Sequence, residues 1–371
     1  MTGVVPVPGD APTSTAGPVL VIGTGLIGAS VALALRERGT EVWLQDRDPE
    51  ALSVAVERGA GLPRPAAGEP ALVIVAVPPA AAPSVVIEVL RSTVNATVSD
   101  VVSTKARLQR EIETSGLDAS AIARFVPGHP MAGREVSGPA AARADLFADR
   151  VWALTPSAAT DLTRTRQVAA LVESLGAVPV ITSPDEHDRA VALTSHTPQV
   201  VASTVAAGLA DLGDTGVRLS GQGLRDVTRL AASDPGLWAE ILASNAEPVA
   251  GALDSLIDRL AAVRDGLRAG EAGAAAVRTS LEAGVVGHRR VPGKHGAAPV
   301  TWAVVAVSVA DRPGELGRLF ADAGATGVNL EDVRIEHAQG RPTGLVELEV
   351  SPESASSLAD GLRTTGWDVR F

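Results

Sequence analysis

The 371-residue chain has no cysteine and no tyrosine, and aromatic side chains occupy only 2% of its positions. Without cysteine there is no disulfide, no thiolate nucleophile and no cysteine-ligated cluster, which fits a reducing compartment. With so few aromatics, the cores must be packed from Ala, Val, Leu and Ile. No uninterrupted apolar run is long enough for a membrane span: the most apolar stretch, residues 71–90, is broken by Pro78, Pro79 and Pro83. It reads as a buried strand, a turn and a helix start. The N-terminus lacks a basic region followed by an apolar run, so no signal peptide is expected and the expected location is cytoplasmic. A basic footprint is missing too, and the net charge of −11 argues against a nucleic-acid partner. The six histidines show no metal-ligand spacing, and no GxSxG, HExxH or paired-carboxylate pattern occurs, so no metal is expected.

What is present is a globular composition, 46% hydrophobic and 20% charged, in a chain long enough for two or three domains. Residues 1–16, rich in Pro, Gly, Ala and Thr, read as a disordered tail. From 17 to 182, strand and helix patterns alternate, which predicts a doubly wound α/β sheet with an extension. Strands are expected over 19–23, 41–44, 71–77, 94–102, 125–126, 151–155 and 178–182.

The first of these runs into Gly23-Thr24-Gly25-Leu26-Ile27-Gly28, a helical pattern follows, and Asp46 ends the second strand 18 positions after Gly28. Strand, glycine turn, helix, strand and acid together form a Rossmann-type dinucleotide fingerprint. Gly23 allows the tight turn, Gly25 the approach of a pyrophosphate, and Gly28 close helix–strand packing. The helix N-terminus offers free N–H groups to the phosphates. Asp46 would accept hydrogen bonds from the adenosine ribose, which favours NAD over NADP, although Arg47 follows it directly.

Three histidines outside the linker and the last domain are candidates for proton transfer. His129, in Phe125–Gly138, sits in a Gly/Pro-bent turn beyond a strand end. His196 lies in a helical stretch. His187, in the first turn of that stretch, reads as a capping or surface residue. Ser103 ends a strand beside the cofactor site; it either contacts His129 or substrate, or caps a helix over 105–114. Arg225 and Arg229 stand at i, i+4 on one helix face and form a candidate carboxylate fork, or are tied up by Asp226 and Asp234.

After Ser183 the strand pattern ends. Ser183-Pro184-Asp185-Glu186 is an N-cap, a first-turn proline and acids in the first turn. Helices are predicted over 186–212, 224–232, 235–269 and 274–283, so 183–286 is an all-helical domain, and its alanine-rich apolar faces predict a homodimer. Residues 287–300 read as a linker, whose His288, Arg289, Arg290, Lys294 and His295 are most simply a solvated hinge. Residues 301–371 follow a β-α-β-β-α-β order, a ferredoxin-like α+β unit.

In order, GTGLIGAS, DVVSTKA, GHPMAGREVSG, SPDEHDRAVALTSHTPQ and LRDVTRLAASDPGLW resemble the prephenate/arogenate dehydrogenase family of tyrosine biosynthesis over about residues 18–285. The last domain, with DRPGELGRLFADAGATGVNLEDVRI, resembles an ACT domain, a module that binds amino acids. The resemblance implies oxidative decarboxylation of prephenate, with NAD taking hydride, CO2 leaving and the ring becoming aromatic. It implies that His129 is the base, that Ser103 orients it and touches cofactor or substrate, that Arg229 binds a substrate carboxylate and that His196 helps bind the side chain. Glu135 falls at a pocket-lining acid, and Asp226 is expected to pair with Arg225 at the pocket mouth. Gln199 stands where many members have a second histidine, so the side-chain preference, prephenate or arogenate, stays open. Val77 joins the glycine turn and Asp46 around the cofactor. Asp311, Arg312, Pro313, Gly314 and Asn329 match an effector-binding edge, with tyrosine as the natural effector. A non-catalytic amino-acid sensor built on a dinucleotide fold is the rival class.

Overall fold

A computed structural model describes residues 17–133, 136–291, 302–337 and 343–371. The expected tail over 1–16, most of the linker and Glu135 lie outside the described residues. The chain divides into two compact units, Met1–Ala261 and Ala262–Phe371.

In the first unit, β1 (Val19–Ile22), β2 (Val42–Gln45), β3 (Leu62–Pro63), β4 (Leu72–Val75), β5 (Thr97–Asp100) and β6 (Phe125–Val126) form one sheet in the order β3-β2-β1-β4-β5-β6. Every pairing is parallel. β1, β4 and β5 are buried at every residue, as a parallel sheet covered on both faces requires. Successive side chains alternate between faces. Val19, Val21, Leu72 and Ile74 enter one apolar core, and Leu20, Ile22, Val73 and Val75 enter the other.

The sequence predicts a doubly wound sheet with an extension up to residue 182; in the structure the parallel sheet ends at β6 and the extension is a sheet of its own. β7 (Gly128–Pro130), β8 (Val151–Leu154) and β9 (Val178–Ile181) make a second sheet of three strands. β7 pairs antiparallel with β8, and β8 parallel with β9. His129 therefore lies within a strand, opposite Ala153, and not in a turn. Gly128 makes this possible. A Cβ there would come within 2.8 Å of the Trp152 indole nitrogen and 2.9 Å of the Asp100 carbonyl oxygen, so only glycine lets β7 pass so close to the end of β5.

The helical stretch opens as expected: Ser183 accepts the Glu186 N–H at 3.3 Å, and Pro184 starts the Pro184–Val191 helix. It is not one straight helix to 212. A π-helical turn, Ala192–His196, separates it from Thr197–Ala207. Pro198, in the first turn of the second segment, has no N–H to continue an α-helical ladder, which is one reason for the re-registration. The expected 235–269 helix is likewise two helices, Pro235–Ser244 and Ala246–Arg268, broken at Asn245. No helix among the described residues is long and apolar enough to cross a membrane.

In the second unit the helix Ala274–His288 runs into what reads as linker in the sequence. Beyond it, β10 (Ala303–Ala310), β11 (Asp332–His337), β12 (Thr343–Val350) and β13 (Asp368–Arg370) form an antiparallel sheet ordered β11-β12-β10-β13. The helices Glu315–Ala325 and Ala355–Thr364 complete the β-α-β-β-α-β order. Val305, Val307, Leu319, Leu348 and Leu358 fill its core.

Candidate active site

Five predicted site segments follow the carboxyl ends of parallel strands. Gly23 follows β1, Asp46 follows β2, Val77 lies just past β4, Ser103 past β5 and His129 past β6. The order places β1 beside β4, where chain direction across the sheet reverses and such sheets bind ligands.

The glycine turn is a cradle fit for a dinucleotide. Gly23 has φ +96°, and a Cβ there would lie 2.3 Å from the Ala76 carbonyl oxygen. A Cβ on Gly28 would lie 1.9 Å from the Gly23 carbonyl oxygen, whereas one on Gly25 would project into open space. The helix Leu26–Glu37 starts at Gly25 with no side-chain cap, which leaves its first N–H groups for an anion. Asp46 is half-buried and anchored. Its carboxylate accepts the Thr24 N–H at 2.5 Å, the Thr24 hydroxyl at 2.9 Å and the Asp48 N–H at 2.9 Å. Burial alone would raise its pKa, but these donors outweigh burial and hold it below the ordinary carboxylate value. A carboxylate fixed in the ionised form suits ribose hydroxyls and repels a 2′-phosphate.

Around His129 the structure assembles groups from distant parts of the chain. The ring is half-buried, and its Nδ1 lies 2.9 Å from Nε2 of His187. His187 Nδ1 lies 2.8 Å from Oδ1 of Asp188. Both residues of this second pair are buried, at 4% and 3% exposure. His187 is thus an interior residue facing His129, not the capping or surface residue that its place in a first helical turn suggests. Asp188 also accepts the N–H groups of Lys105 and Ala106, each at 2.9 Å, and so caps the Ala106–Glu113 helix from a distance. Ser103 does not cap that helix. Nor does it hydrogen-bond His129 among the described residues, where the partner of the ring is His187, at Nδ1. The His129 pKa is pushed well below 6.5 by burial first, then by His187, Lys105 and His196.

Beneath the histidine, Lys105 is wholly buried, ion-paired with Asp100, and donates to the Gly128 carbonyl at 2.6 Å. The Gly128 N–H in turn reaches Asp100 at 3.2 Å. Both backbone groups of the residue before His129 are therefore held by one buried pair.

His196 is buried, with Nδ1 3.1 Å from the Asn245 side-chain nitrogen and its ring edge-on to Trp238. The Asn245 amide also donates to the Asp188 carbonyl at 2.8 Å, which assigns its nitrogen as donor to both partners. Gln199, also buried, donates to the Leu230 carbonyl at 3.0 Å and so ties down the turn that carries Arg229. Arg229 and Arg225 are exposed. Asp226 does not pair with Arg225; among the described residues it accepts from Gln222 at 2.9 Å, one helical turn earlier. In the second unit, the exposed Arg312 lies 3.7 Å from Glu315, Gly314 takes φ +89° at the helix start, and Asn329 donates to Glu331 at 2.5 Å. Asp311 and Pro313 are exposed beside them.

Residues 31–181 match the family described as prephenate dehydrogenase, nucleotide-binding domain, and residues 183–276 match prephenate dehydrogenase, dimerization domain. The chain belongs to the prephenate dehydrogenase family. It is 37% identical over 358 residues to a probable prephenate dehydrogenase, NovF, of Streptomyces niveus, across 94% of this chain and 98% of that one. It is 31% identical over 258 residues to the prephenate dehydrogenase of Bacillus subtilis, across 66% of this chain and 69% of the relative. Among solved structures it resembles prephenate dehydrogenase of A. aeolicus in complex with hydroxyphenyl propionate and NAD+. That likeness has 28% identity and a TM-score of 0.65 over 73% of this chain and 97% of the other.

For this member of the prephenate dehydrogenase family, motif reading nominates His129 and His196, weighs His187 but assigns it to a cap or the surface, and overlooks Asp188, Lys105 and Asn245. One signal was available for His187. A straight helix puts residues nine apart on opposite faces, at 100° per residue. The π turn between His187 and His196 takes out roughly a quarter turn of that separation, and a proline two residues after His196 is the mark of such a break.

Proposed function

We propose that the chain is an NAD-dependent prephenate dehydrogenase: it oxidises and decarboxylates prephenate to 4-hydroxyphenylpyruvate and CO2. The observation that carries the reading is the pairing of the Gly23–Gly28 cradle with a half-buried imidazole past β6, whose pKa is held low enough to keep it neutral. NAD, when bound, supplies the hydride acceptor. His129 then takes the ring-hydroxyl proton on Nε2 as hydride leaves the carbinol carbon. The electron pair of the breaking C–CO2 bond enters the ring, and the proton returns to the oxygen of the new phenol. Aromatisation drives the step, so the protein contributes alignment and a proton acceptor. Arg229 holds a substrate carboxylate, His196 donates from its Nε2–H to the substrate side chain, and Arg225 adds positive charge nearby. Ser103, half-buried past β5, faces cofactor or substrate.

Arogenate is the alternative substrate, because Gln199, where many family members carry a second histidine, keeps a hydrogen bond but cannot carry charge. Offering prephenate and arogenate separately, each with NAD and with NADP, and following absorbance of the reduced nicotinamide decides between them; no reduction with either substrate removes the enzyme reading.

Two further assignments complete the proposal. The chain forms a homodimer through its helical region; outward-facing Ile257 and Leu260, each 59% exposed, support this, and sedimentation measures it. The C-terminal unit acts as an ACT-type sensor for tyrosine at Asp311–Gly314 and Asn329. The β-α-β-β-α-β order supports that reading. Identical tyrosine inhibition curves with and without residues 300–371 would remove it.

A further inference from the structure

The His129 ring has two nitrogens, and only one tautomer makes it a base toward the substrate. Which tautomer it adopts depends on His187 and Asp188, for which the activity itself assigns no part. Asp188 is an acceptor only, and it already receives the N–H groups of Lys105 and Ala106. The nitrogen of His187 that faces it at 2.8 Å must therefore be the donor. A neutral His187 protonated on Nδ1 has a bare Nε2. That bare nitrogen lies 2.9 Å from His129 Nδ1, which must then carry the hydrogen. The remaining nitrogen of His129, Nε2, is left with its lone pair.

We propose that His187 and Asp188 are positioning residues that lock His129 in the Nδ1–H tautomer and so present Nε2 to the substrate as the base. Neither need touch the substrate. The arrangement follows the logic of a carboxylate orienting a catalytic histidine, with a second imidazole inserted between the two. It also gives the transient His129 imidazolium a hydrogen-bond acceptor, and beyond that a buried carboxylate, at the moment the hydroxyl proton arrives. The groups facing the His129–His187 pair are Asp188 on the same helix as His187, Lys105 at the start of the 106–113 helix, and His196 from the π turn. Asp100, at the end of β5, neutralises Lys105. Had His187 carried hydrogens on both nitrogens, it would donate to His129 and force the proton of His129 onto Nε2, which abolishes the base.

The inference rests on His129 being the base, and its first test needs no substrate. With only the six histidines labelled with nitrogen-15, long-range proton–nitrogen correlation spectra distinguish protonated from bare ring nitrogens, and His129→Asn and His187→Asn assign the signals. At neutral pH the expected pattern is Nδ1 protonated and Nε2 bare for both residues. An Nε2-protonated His129, or a His187 protonated on both nitrogens, overturns the lock. The second test compares His187→Gln, whose side-chain oxygen can still accept from His129, with His187→Leu, which cannot. Leu is expected to lower kcat roughly 10–100-fold, less than loss of the base itself, with KM little changed, and Gln to recover part of that loss. Equal losses in the two variants overturn the positioning role. If the spectra show the lock but prephenate is not oxidised, the tautomer assignment stands and the function reading falls.

Discussion

The ring of His187 stands edge-on to the ring of His129, with centroids 5.1 Å apart and 74° between their planes. The two imidazoles meet nitrogen to nitrogen and do not stack, so the contact is a hydrogen bond that fixes ring orientation. It uses one nitrogen of the half-buried His129 ring and leaves the other outside this contact. His129→Asn keeps a small polar side chain but removes the proton acceptor. It is expected to lower kcat by about 10²–10⁴-fold with little change in KM. Steady-state kinetics with prephenate measure both; unchanged turnover would remove the base role.

Acid should inactivate this site only well below the ordinary histidine range. Burial and the neighbouring His187, Lys105 and His196 depress the His129 pKa, and burial foremost depresses that of His196. The active form of the base is neutral, so kcat/KM should stay flat as pH falls through 6.5, the ordinary value, and decline only below it. The same shifts affect stability. Below pH 6.5 the unfolded chain takes up protons that the folded histidines refuse, so their contribution is present above that pH and is lost as pH falls toward the folded-state values. Urea midpoints for the catalytic unit at pH 8 and pH 5.5 should show the decrease.

Arg229→Ala should act mainly on substrate binding. Loss of a charged hydrogen-bond pair costs about 1.5–3 kcal/mol, which is roughly a 10–150-fold rise in KM. Gln199→Ala should raise KM less, because it frees only the Leu230 carbonyl that steadies the Arg229 turn. A larger drop in kcat than rise in KM for Arg229→Ala would contradict a role in ground-state binding.

Asp46→Ala should weaken NAD and narrow the preference over NADP. The carboxylate is held ionised by Thr24 and Asp48, so its removal takes away both the ribose acceptor and the repulsion of a 2′-phosphate. The ratio of kcat/KM for the two cofactors measures this, and an unchanged ratio would place discrimination elsewhere.

Lys105→Met should destabilise the first unit by about 3–5 kcal/mol, the typical cost of leaving one member of a buried pair behind. Asp100 would stay buried without its counter-charge, and Gly128 would lose the donor on its carbonyl. Chemical unfolding of the variant reads the loss directly.

Local, contiguous patterns were legible without a structure. Strand, Gly23–Gly28, helix, strand and Asp46 follow one another within 28 residues, counted from Val19 to Asp46, so the β1–helix–β2 unit and its cradle could be read from spacing. The Ser183 cap and the β-α-β-β-α-β order at the C-terminal end were readable for the same reason. His129 could be nominated from its place after a strand, though not its setting within β7, because Gly128's approach to Trp152 is a contact between separate segments.

Tertiary structure alone decided how the histidine is held. Asp188 caps a helix that begins 82 residues earlier in the chain, and Asn245 joins Asp188 to His196 across 57 and 49 residues. A periodicity reading assumes a constant 100° per residue and cannot anticipate the π turn that changes the relative facing of His187 and His196. It also takes polar residues in a helix's first turn as solvated, which was reasonable for His187 until the fold buried it. The residue types and local order of the site are written in the sequence. Which nitrogen meets which follows from burial, since buried polar groups must find partners, and those partners lie wherever the folded chain brings them.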